Sequence, residues 1–225
     1  MSVQKRTKIV YVTSSRFKEE ENKVFVANCK LANGTPVKDL FEFDIRKVPI
    51  TEMLEVDLHV MVQAEVTNAY SQIKVPCIVE HAGLIFQDYT DMSYPGGLTK
   101  PMWNALGEKF IEETHSSGRR ATARAVVAYC DGKSVRTFTG ETKGTLAEHP
   151  RGAREFYWDT VFIPDDSSGK PGTKTYAEIV EDPDLGLKYK IMKLSQSAKA
   201  MLAFLKFLRE EGPPSLWKDT HSASG

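Results

Sequence analysis

The sequence predicts an α/β protein with one mixed central sheet flanked by helices. The first half alternates short β-branched runs with amphipathic stretches, which indicates a β-α-β-α-β order. The second half holds three extended runs, and Asp131-Gly132 marks a hairpin turn between the first two. The 225 residues show no repeat or break in composition, so residues 1–212 are expected to form one domain, with a loose tail at 213–225.

The opening half supplies the first three strands and two helices. The run "KIVYV" predicts a strand, residues 16–30 a helix and residues 40–45 a second strand. A helix over 57–73 would present one apolar face, made of Leu58, Met61, Val62, Val66, Ala69 and Ile73. The run "VPCIVE" (75–80) is almost wholly apolar, which predicts a central strand buried on both faces, followed by a turn at Gly83.

The second half predicts antiparallel pairing. A helix is expected around Trp103 to Ile111, and extended runs follow at 121–130, 134–149 and 155–164. Ser195 to Glu211 is predicted to form the last helix, with its leucines facing inward.

The charge balance excludes some classes of partner. Thirty Lys and Arg residues cancel thirty Asp and Glu residues, so there is no global field to attract DNA or an acidic membrane. No window approaches the length of a membrane span, and "MSVQKRTKIVYV" moves into a strand without the pattern of a signal peptide, so a cytoplasmic protein is expected. Cys29, Cys77 and Cys130 form no CxxC pair, which argues against a disulfide framework and a structural zinc site.

A polar turn after the first predicted strand suits phosphate oxygens. Thr13, Ser14 and Ser15 precede a helix that carries Lys18 in its first turn. Hydroxyls, backbone N–H groups and a cation at a helix start are typical of phosphate sites. Taken alone, the hydroxyls are better explained as helix caps.

Several acids follow at the next strand and helix. Glu80 stands at the expected carboxyl end of the central strand, where open α/β sheets place ligands. Glu52, Glu55 or Asp57 could share a Mg²⁺ ion with Glu80, although each acid alone is better explained as a surface charge. His81 could accept a proton near neutral pH but is a poor magnesium ligand, and a lone histidine there is more often structural.

Further candidates lie in the second half. Lys100 stands beside a glycine turn. Phe156 and Trp158 stand beside Asp159 and could stack on a base while Asp159 reads it, and core packing explains the two aromatic residues about as well.

Taken in order, these segments resemble the inosine triphosphate pyrophosphatase family. "VYVTSSRFK" is similar to its opening strand and T-[SG]-N-x-x-K turn, and "IVEHAGLIF" to its [VI]-[ED]-D-[ST]-[GC]-L segment. "YPGGLTK", the run ending "EFYWDTVFIP", and "KTYAEI" resemble three further motifs of the family. "LSQSAKAMLAFLKFL" stands where the family has S-H-R and the last helix.

The resemblance implies a two-lobed fold and enzymes that cut ITP, dITP and XTP to monophosphate and pyrophosphate with Mg²⁺, commonly as homodimers. On that basis the nucleotide contacts would be Thr13, Ser14, Ser15, Lys18, Lys100, Phe156, Trp158, Asp159, Lys190, Ser195 and Gln196, with Glu80 and His81 at the catalytic position and Glu80, Glu52 and Glu55 near the metal.

The departures from the family pattern carry the functional hypothesis. His81 replaces the second acid, which in the family is thought to activate water, and Ser195-Gln196-Ser197 replaces the base-reading S-H-R. Tyr157 in place of glycine would crowd the base pocket. The resemblance therefore implies a site that binds a nucleotide better than it hydrolyses one, because the loss of a catalytic general base lowers the rate by about 10²–10⁴-fold.

Three functions follow as alternatives. In the first, the protein senses dITP or ITP and signals to a partner, as proteins of this fold do in anti-phage systems with a deaminase and an NAD-degrading effector. In the second, it is an active pyrophosphatase in which His81 is the base and Glu80 with Glu52 or Glu55 holds the metal. In the third, it is an assembly protein that binds no nucleotide.

Overall fold

The structure is a computed structural model that describes residues 6–113, 119–153 and 157–212. The first half follows the predicted alternation of strands and helices. Its elements are β1 (Thr7–Val12), α1 (Arg16–Asn28), α2 (Val37–Leu40), β2 (Phe41–Arg46), α3 (Leu58–Ile73), β3 (Cys77–Phe86), a 3-10 segment (Gln87–Met92), β4 (Pro95–Gly96) and α4 (Thr99–Leu106).

The second half contributes the antiparallel strands and the closing helices. Its elements are a 3-10 segment (Gly107–Glu113), β5 (Arg120–Cys130), β6 (Val135–Leu146), a 3-10 turn (Tyr157–Thr160), β7 (Phe162–Pro164), α5 (Tyr176–Glu181), α6 (Gly186–Tyr189), a π-helical turn (Lys190–Leu194) and α7 (Gln196–Glu211). The predicted hairpin between β5 and β6 is confirmed: the Asp131 carboxylate accepts the backbone N–H groups of Lys133 and Ser134 at 2.8 and 2.7 Å. The predicted tail at 213–225 lies outside the described residues.

The strands form one mixed sheet, as predicted. Their order is β2-β1-β3-β5-β6-β7, and β4 pairs with β3 off this path. β1 runs parallel to both β2 and β3. The pairs β3-β5, β5-β6 and β6-β7 are antiparallel. A parallel half and an antiparallel half therefore meet at β3.

The predicted end of the central strand at Glu80 is wrong. β3 continues through Glu80 and His81 to Phe86, because β5 pairs with it along all ten residues. β1 pairs with β3 only at Cys77 and Ile78. The neighbour on one edge therefore stops before Glu80, while the neighbour on the other edge supports the strand beyond it.

Gly83 serves a close approach rather than the predicted turn. A Cβ atom at Gly83 would lie 2.0 Å from the carbonyl oxygen of Gly96 in β4. Glycine inside a strand commonly marks such a contact between backbones. The absent side chain lets β4 pair with β3, which positions the segment leading to α4 and Lys100.

The prediction of one extended run at 155–164 is also wrong. Residues 157–160 form a 3-10 turn, and only Phe162–Pro164 pairs with β6. Trp158 and Asp159 are consecutive and both buried. A strand would send them to opposite faces of the sheet, so the turn is what allows both side chains to reach the interior.

Helices cover both faces of the sheet. α1 and α7 pack on one face around Tyr11, Phe25 and Phe204. α3 packs on the other face through Val62 and Val66. A further aromatic core, which includes Phe86, Trp158, Phe162 and Tyr176, fills the second half. Within the described residues no helix has the length and apolar character needed to cross a membrane.

Candidate nucleotide site

The turn between β1 and α1 has the predicted cap geometry. Ser15 caps α1, and its hydroxyl accepts the backbone N–H of Lys18 at 3.4 Å. The Ser15 N–H donates to Thr13 Oγ1 at 3.2 Å. Thr13, Ser14, Ser15 and Lys18 all line one cleft, which therefore receives the positive end of α1.

Two lysines approach this cleft from different elements. Lys18 Nζ donates to the backbone carbonyl of Glu80. Lys100 Nζ lies 3.3 Å from Glu52 Oε2 in a pair whose side chains are 34% and 55% exposed. An exposed ion pair of this kind contributes about 0–1 kcal/mol, so an incoming phosphate could displace Glu52 at little cost.

The Glu80 side chain is buried, and both of its carboxylate oxygens accept a hydrogen bond. Its Oε2 accepts the Tyr11 hydroxyl at 2.8 Å, and its Oε1 accepts the Ser197 hydroxyl at 2.8 Å. Burial, with a further contribution from Glu80, raises the pKa of Tyr11 well above its usual value, so the phenol stays a donor. Each carboxylate oxygen thus has a hydrogen-bond donor from the protein.

His81 lies on the opposite face of β3, next to α3. Its Nδ1 is 3.5 Å from Glu65 Oε1, and the two side chains are only 13% and 5% exposed. No residue in the described part of the chain donates a hydrogen bond to Glu65 Oε1. A proton on Nδ1 would face this buried carboxylate and leave Nε2 as an acceptor.

The cleft has a volume of about 440 Å³ and collects many of the predicted residues. From the predicted set it contains Thr13, Ser14, Ser15, Lys18, Glu52, Glu80, His81, Lys100 and Trp158. Glu55, Asp159, Lys190, Ser195 and Gln196 are not part of its lining. The structure therefore joins the phosphate candidates with the catalytic position and Trp158, and leaves the remaining base-binding candidates out of the cleft lining.

The acids of the cleft do not form a metal site built from protein side chains alone. Among the described residues no group of three or more His, Cys, Asp or Glu side chains is placed to hold a metal ion. Glu55 Oε1 accepts the backbone N–H groups of Val56 and Asp57 at 2.7 and 3.1 Å. Metal binding by Glu80, Glu52 and Glu55 stays a prediction. Mg²⁺ carried by triphosphate oxygens would enter as part of the ligand.

A buried ion cluster lies behind the cleft. Lys190 Nζ is 2.7 Å from Asp159 Oδ2 and 2.9 Å from Glu21 Oε1. The Lys190 and Asp159 side chains are 3% and 1% exposed. The cluster ties the π-helical turn to α1 and to the 3-10 turn. Trp158 beside it packs edge-to-face on Phe162 at 5.8 Å, as a core residue would.

The start of α7 carries the last two candidates. Ser195 caps the helix by accepting the Ala198 N–H at 3.2 Å. Gln196 is 5% exposed, and its Oε1 accepts the Tyr176 hydroxyl at 3.0 Å. Phe156 lies outside the described residues.

Sequence reasoning assigns no role to Glu65, Glu21, Tyr11 or Tyr176, all of which contact candidate residues. Glu65 offered a signal, because it falls on the apolar face predicted for α3, where an acid is costly unless it has a partner. Tyr176 stands inside the motif-like run "KTYAEI". Glu21 and Tyr11 show no pattern that separates them from ordinary helix and strand residues.

The fold and the cleft define a class of protein. The class is an α/β protein whose cleft suits a phosphorylated ligand. This cleft beside the mixed sheet brings together the start of α1, several hydroxyls and two lysines, which suit phosphate oxygens. The comparisons identify the family: the Ham1 family model matches residues 9–207, and the chain belongs to the Ham1 family.

Similar proteins agree with this assignment. The chain is 34% identical over 151 residues to a dITP/XTP pyrophosphatase of Hyperthermus butylicus, covering 65% of this chain and 71% of that protein. It is 27% identical over 206 residues to a dITP/XTP pyrophosphatase of Pyrococcus horikoshii, covering 90% and 97%. The solved structure of a HAM1 protein from Coxiella burnetii has the same fold, with a TM-score of 0.63, 20% identity and coverage of 91% and 98%. The expected resemblance is confirmed.

Proposed function

We propose that this protein binds a purine nucleoside triphosphate of the dITP or ITP type and hydrolyses it weakly or not at all. The observation that carries the proposal is the hydrogen bonding of the Glu80 carboxylate, together with the histidine at position 81. Both Glu80 oxygens accept protein hydroxyls, and His81 stands where the family resemblance expects an acid. A carboxylate held in this way is poorly placed to bind metal or to activate water.

The binding half of the proposal is supported by the phosphate-facing groups. The α1 start, Lys18 and Lys100 line the cleft, and lysines with backbone N–H groups are common phosphate ligands. The names of the relatives from Hyperthermus and Pyrococcus support a triphosphate with a 6-oxo purine.

A sensing role follows from binding without turnover. Glu80 connects three elements, since its carbonyl accepts from Lys18 of α1 and its carboxylate accepts from Tyr11 of β1 and Ser197 of α7. A triphosphate that draws Lys18 away would alter this junction and could change the surface of α7. We propose that a cytoplasmic homodimer presents this change to a partner, for which an NAD-degrading effector is the hypothesis.

The direct test mixes the purified protein with dITP and Mg²⁺. Calorimetry is expected to show binding, and a pyrophosphate assay is expected to stay at background. Because the ligand binds the folded state, dITP at 100 times its dissociation constant should stabilise the protein by about 2.7 kcal/mol. Release of pyrophosphate at a rate typical of active pyrophosphatases would contradict the proposal.

Two variants of α1 make the binding test specific. Lys18→Met removes one of the cations that line the cleft and should weaken dITP binding by about tenfold or more, the size of a charge-assisted hydrogen bond. Lys23→Met, on the same helix, removes an exposed lysine that pairs with Glu19, and should leave binding unchanged. If no triphosphate stabilises the wild-type protein, the assembly-protein alternative is favoured instead.

The buried contact between His81 and Glu65 favours a second candidate, an active enzyme. A carboxylate facing Nδ1 would orient the ring and leave Nε2 as the proton acceptor, as in other carboxylate–histidine pairs. In that case the wild-type protein should release pyrophosphate, and His81→Ala should abolish the release while dITP still binds. Glu65→Gln should lower the rate by a smaller factor. Turnover that survives His81→Ala would exclude this candidate.

A further inference from the structure

Tyr176 is the common neighbour of the residues behind the cleft. It stands at the start of α5 and is fully buried. Its ring lies 6.2 Å from Trp158, and Lys190 Nζ lies 4.7 Å from the ring centroid. Its hydroxyl reaches Gln196 Oε1 at 3.0 Å. One side chain thus contacts three of the candidates for base binding.

The Tyr176 hydroxyl sets the orientation of the Gln196 amide. Burial raises the pKa of Tyr176 well above its usual value, so the hydroxyl keeps its single proton. The Leu194 carbonyl, which also accepts the Thr142 hydroxyl, is a second acceptor but lies farther away at 3.4 Å, and the Thr142 hydroxyl itself hydrogen-bonds with Tyr176. A hydroxyl donates only one hydrogen bond, and the shorter of the two contacts places the Tyr176 proton on Gln196 Oε1.

This bond occupies only the oxygen end of the Gln196 amide. A glutamine amide has one acceptor oxygen and one NH₂ group with two protons to donate. With Oε1 held by Tyr176, the group available is Nε2, and across residues 6–113, 119–153 and 157–212 nothing bonds to it. An NH₂ group can pair with a carbonyl oxygen and cannot accept from an amino group.

We infer that Tyr176 is a specificity-determining positioning residue, which turns Gln196 so that the site prefers a purine with a 6-oxo group over one with a 6-amino group. The inference rests on the proposed function, since it requires that a purine triphosphate binds with its base near α7. Tyr176 itself does not touch the ligand. It acts through Gln196, whose amide would otherwise be free to turn over and present its oxygen to an amino group.

The test compares dITP with dATP, which differ at the 6-position of the base. The wild-type protein is expected to bind dITP more tightly. Tyr176→Phe keeps the ring, its packing and its contact with Lys190, and removes only the hydroxyl. It should lower the ratio of the two affinities by about 3- to 10-fold, the effect of one hydrogen bond, chiefly by improving dATP binding.

Three further variants separate positioning from packing. Tyr189→Phe removes the hydroxyl of a partly buried tyrosine next to the same aromatic core and should leave the ratio unchanged. Gln196→Glu replaces the NH₂ group with an oxygen and should lower the dITP preference even if Tyr176→Phe fails to fold. In Gln196→Ala, adding Tyr176→Phe should have no further effect on the ratio, because the group that Tyr176 orients is already gone.

The outcomes distinguish this inference from the function on which it rests. If the wild-type protein binds dITP but shows no preference over dATP, or if Tyr176→Phe leaves the ratio unchanged, the inference is overturned and the proposed function stands. If the wild-type protein binds neither nucleotide, both are overturned.

Discussion

His81→Asp is expected to raise pyrophosphate release from dITP by about 10²–10⁴-fold, the usual contribution of a positioned base. The substitution returns a carboxylate to the catalytic position that the family resemblance assigns to His81. An aspartate there would lie near the buried Glu65, and two close carboxylates repel each other. The double variant His81→Asp/Glu65→Gln removes this repulsion and should be the more active of the two. Steady-state release of pyrophosphate measures both.

His81→Asn is the matched control, because asparagine has nearly the shape of aspartate without its charge. It should bind dITP and remain as slow as the wild-type protein. If the wild-type protein already cleaves dITP as fast as His81→Asp/Glu65→Gln, the histidine is a competent base, and the proposal of binding without turnover is wrong.

Lys190→Met is expected to cost the folded protein about 3–5 kcal/mol, since it leaves the carboxylates of Asp159 and Glu21 without their shared cation. A protein of this size loses about 2–4 °C in melting temperature per kcal/mol, so a decrease of about 6–20 °C should appear by calorimetry or circular dichroism. Methionine has a similar length, so lost charge rather than lost volume would cause the effect.

Lys193→Met is the control, and it tests whether the stability loss requires the removal of a buried lysine or follows from the loss of any lysine in this turn. Lys193 belongs to the same π-helical turn but is exposed, so its loss should change the melting temperature by a degree or two at most. A triple change that also neutralises the two acids, Lys190→Met/Asp159→Asn/Glu21→Gln, should recover part of the lost stability. Equal effects of Lys190→Met and Lys193→Met would show that the buried cluster contributes nothing.

Local patterns predicted most of the elements because the forces that form them act over a few residues. The apolar spacing in 57–73 and the Ser195 cap identified α3 and α7 to within one residue. The end of β3 could not be found in this way. Its continuation past Glu80 depends on β5, which lies about forty residues later in the chain and supplies the hydrogen bonds that keep the strand extended.

The candidate site also has a part that local sequence predicts and a part that depends on contacts between distant residues. The polar turn and Lys18 lie together in the sequence, so their meeting at the cleft was predictable. The burial of Gln196 against Tyr176 and the pairing of His81 with Glu65 depend on which face each side chain takes. The motif resemblance placed Asp159 and Lys190 in one site but did not indicate that they would bond to each other and to Glu21.

The meeting of the two halves of the sheet at β3 has a mechanical consequence. The cleft lies where β1 ends and β3 continues, so a ligand bound there would contact the boundary between the parallel and antiparallel halves of the sheet. A bound ligand would contact both halves at once. A ligand that binds one relative arrangement of the two halves better than another will increase the population of that arrangement. In such a protein, ligand binding alone would change the conformation, without hydrolysis of the ligand.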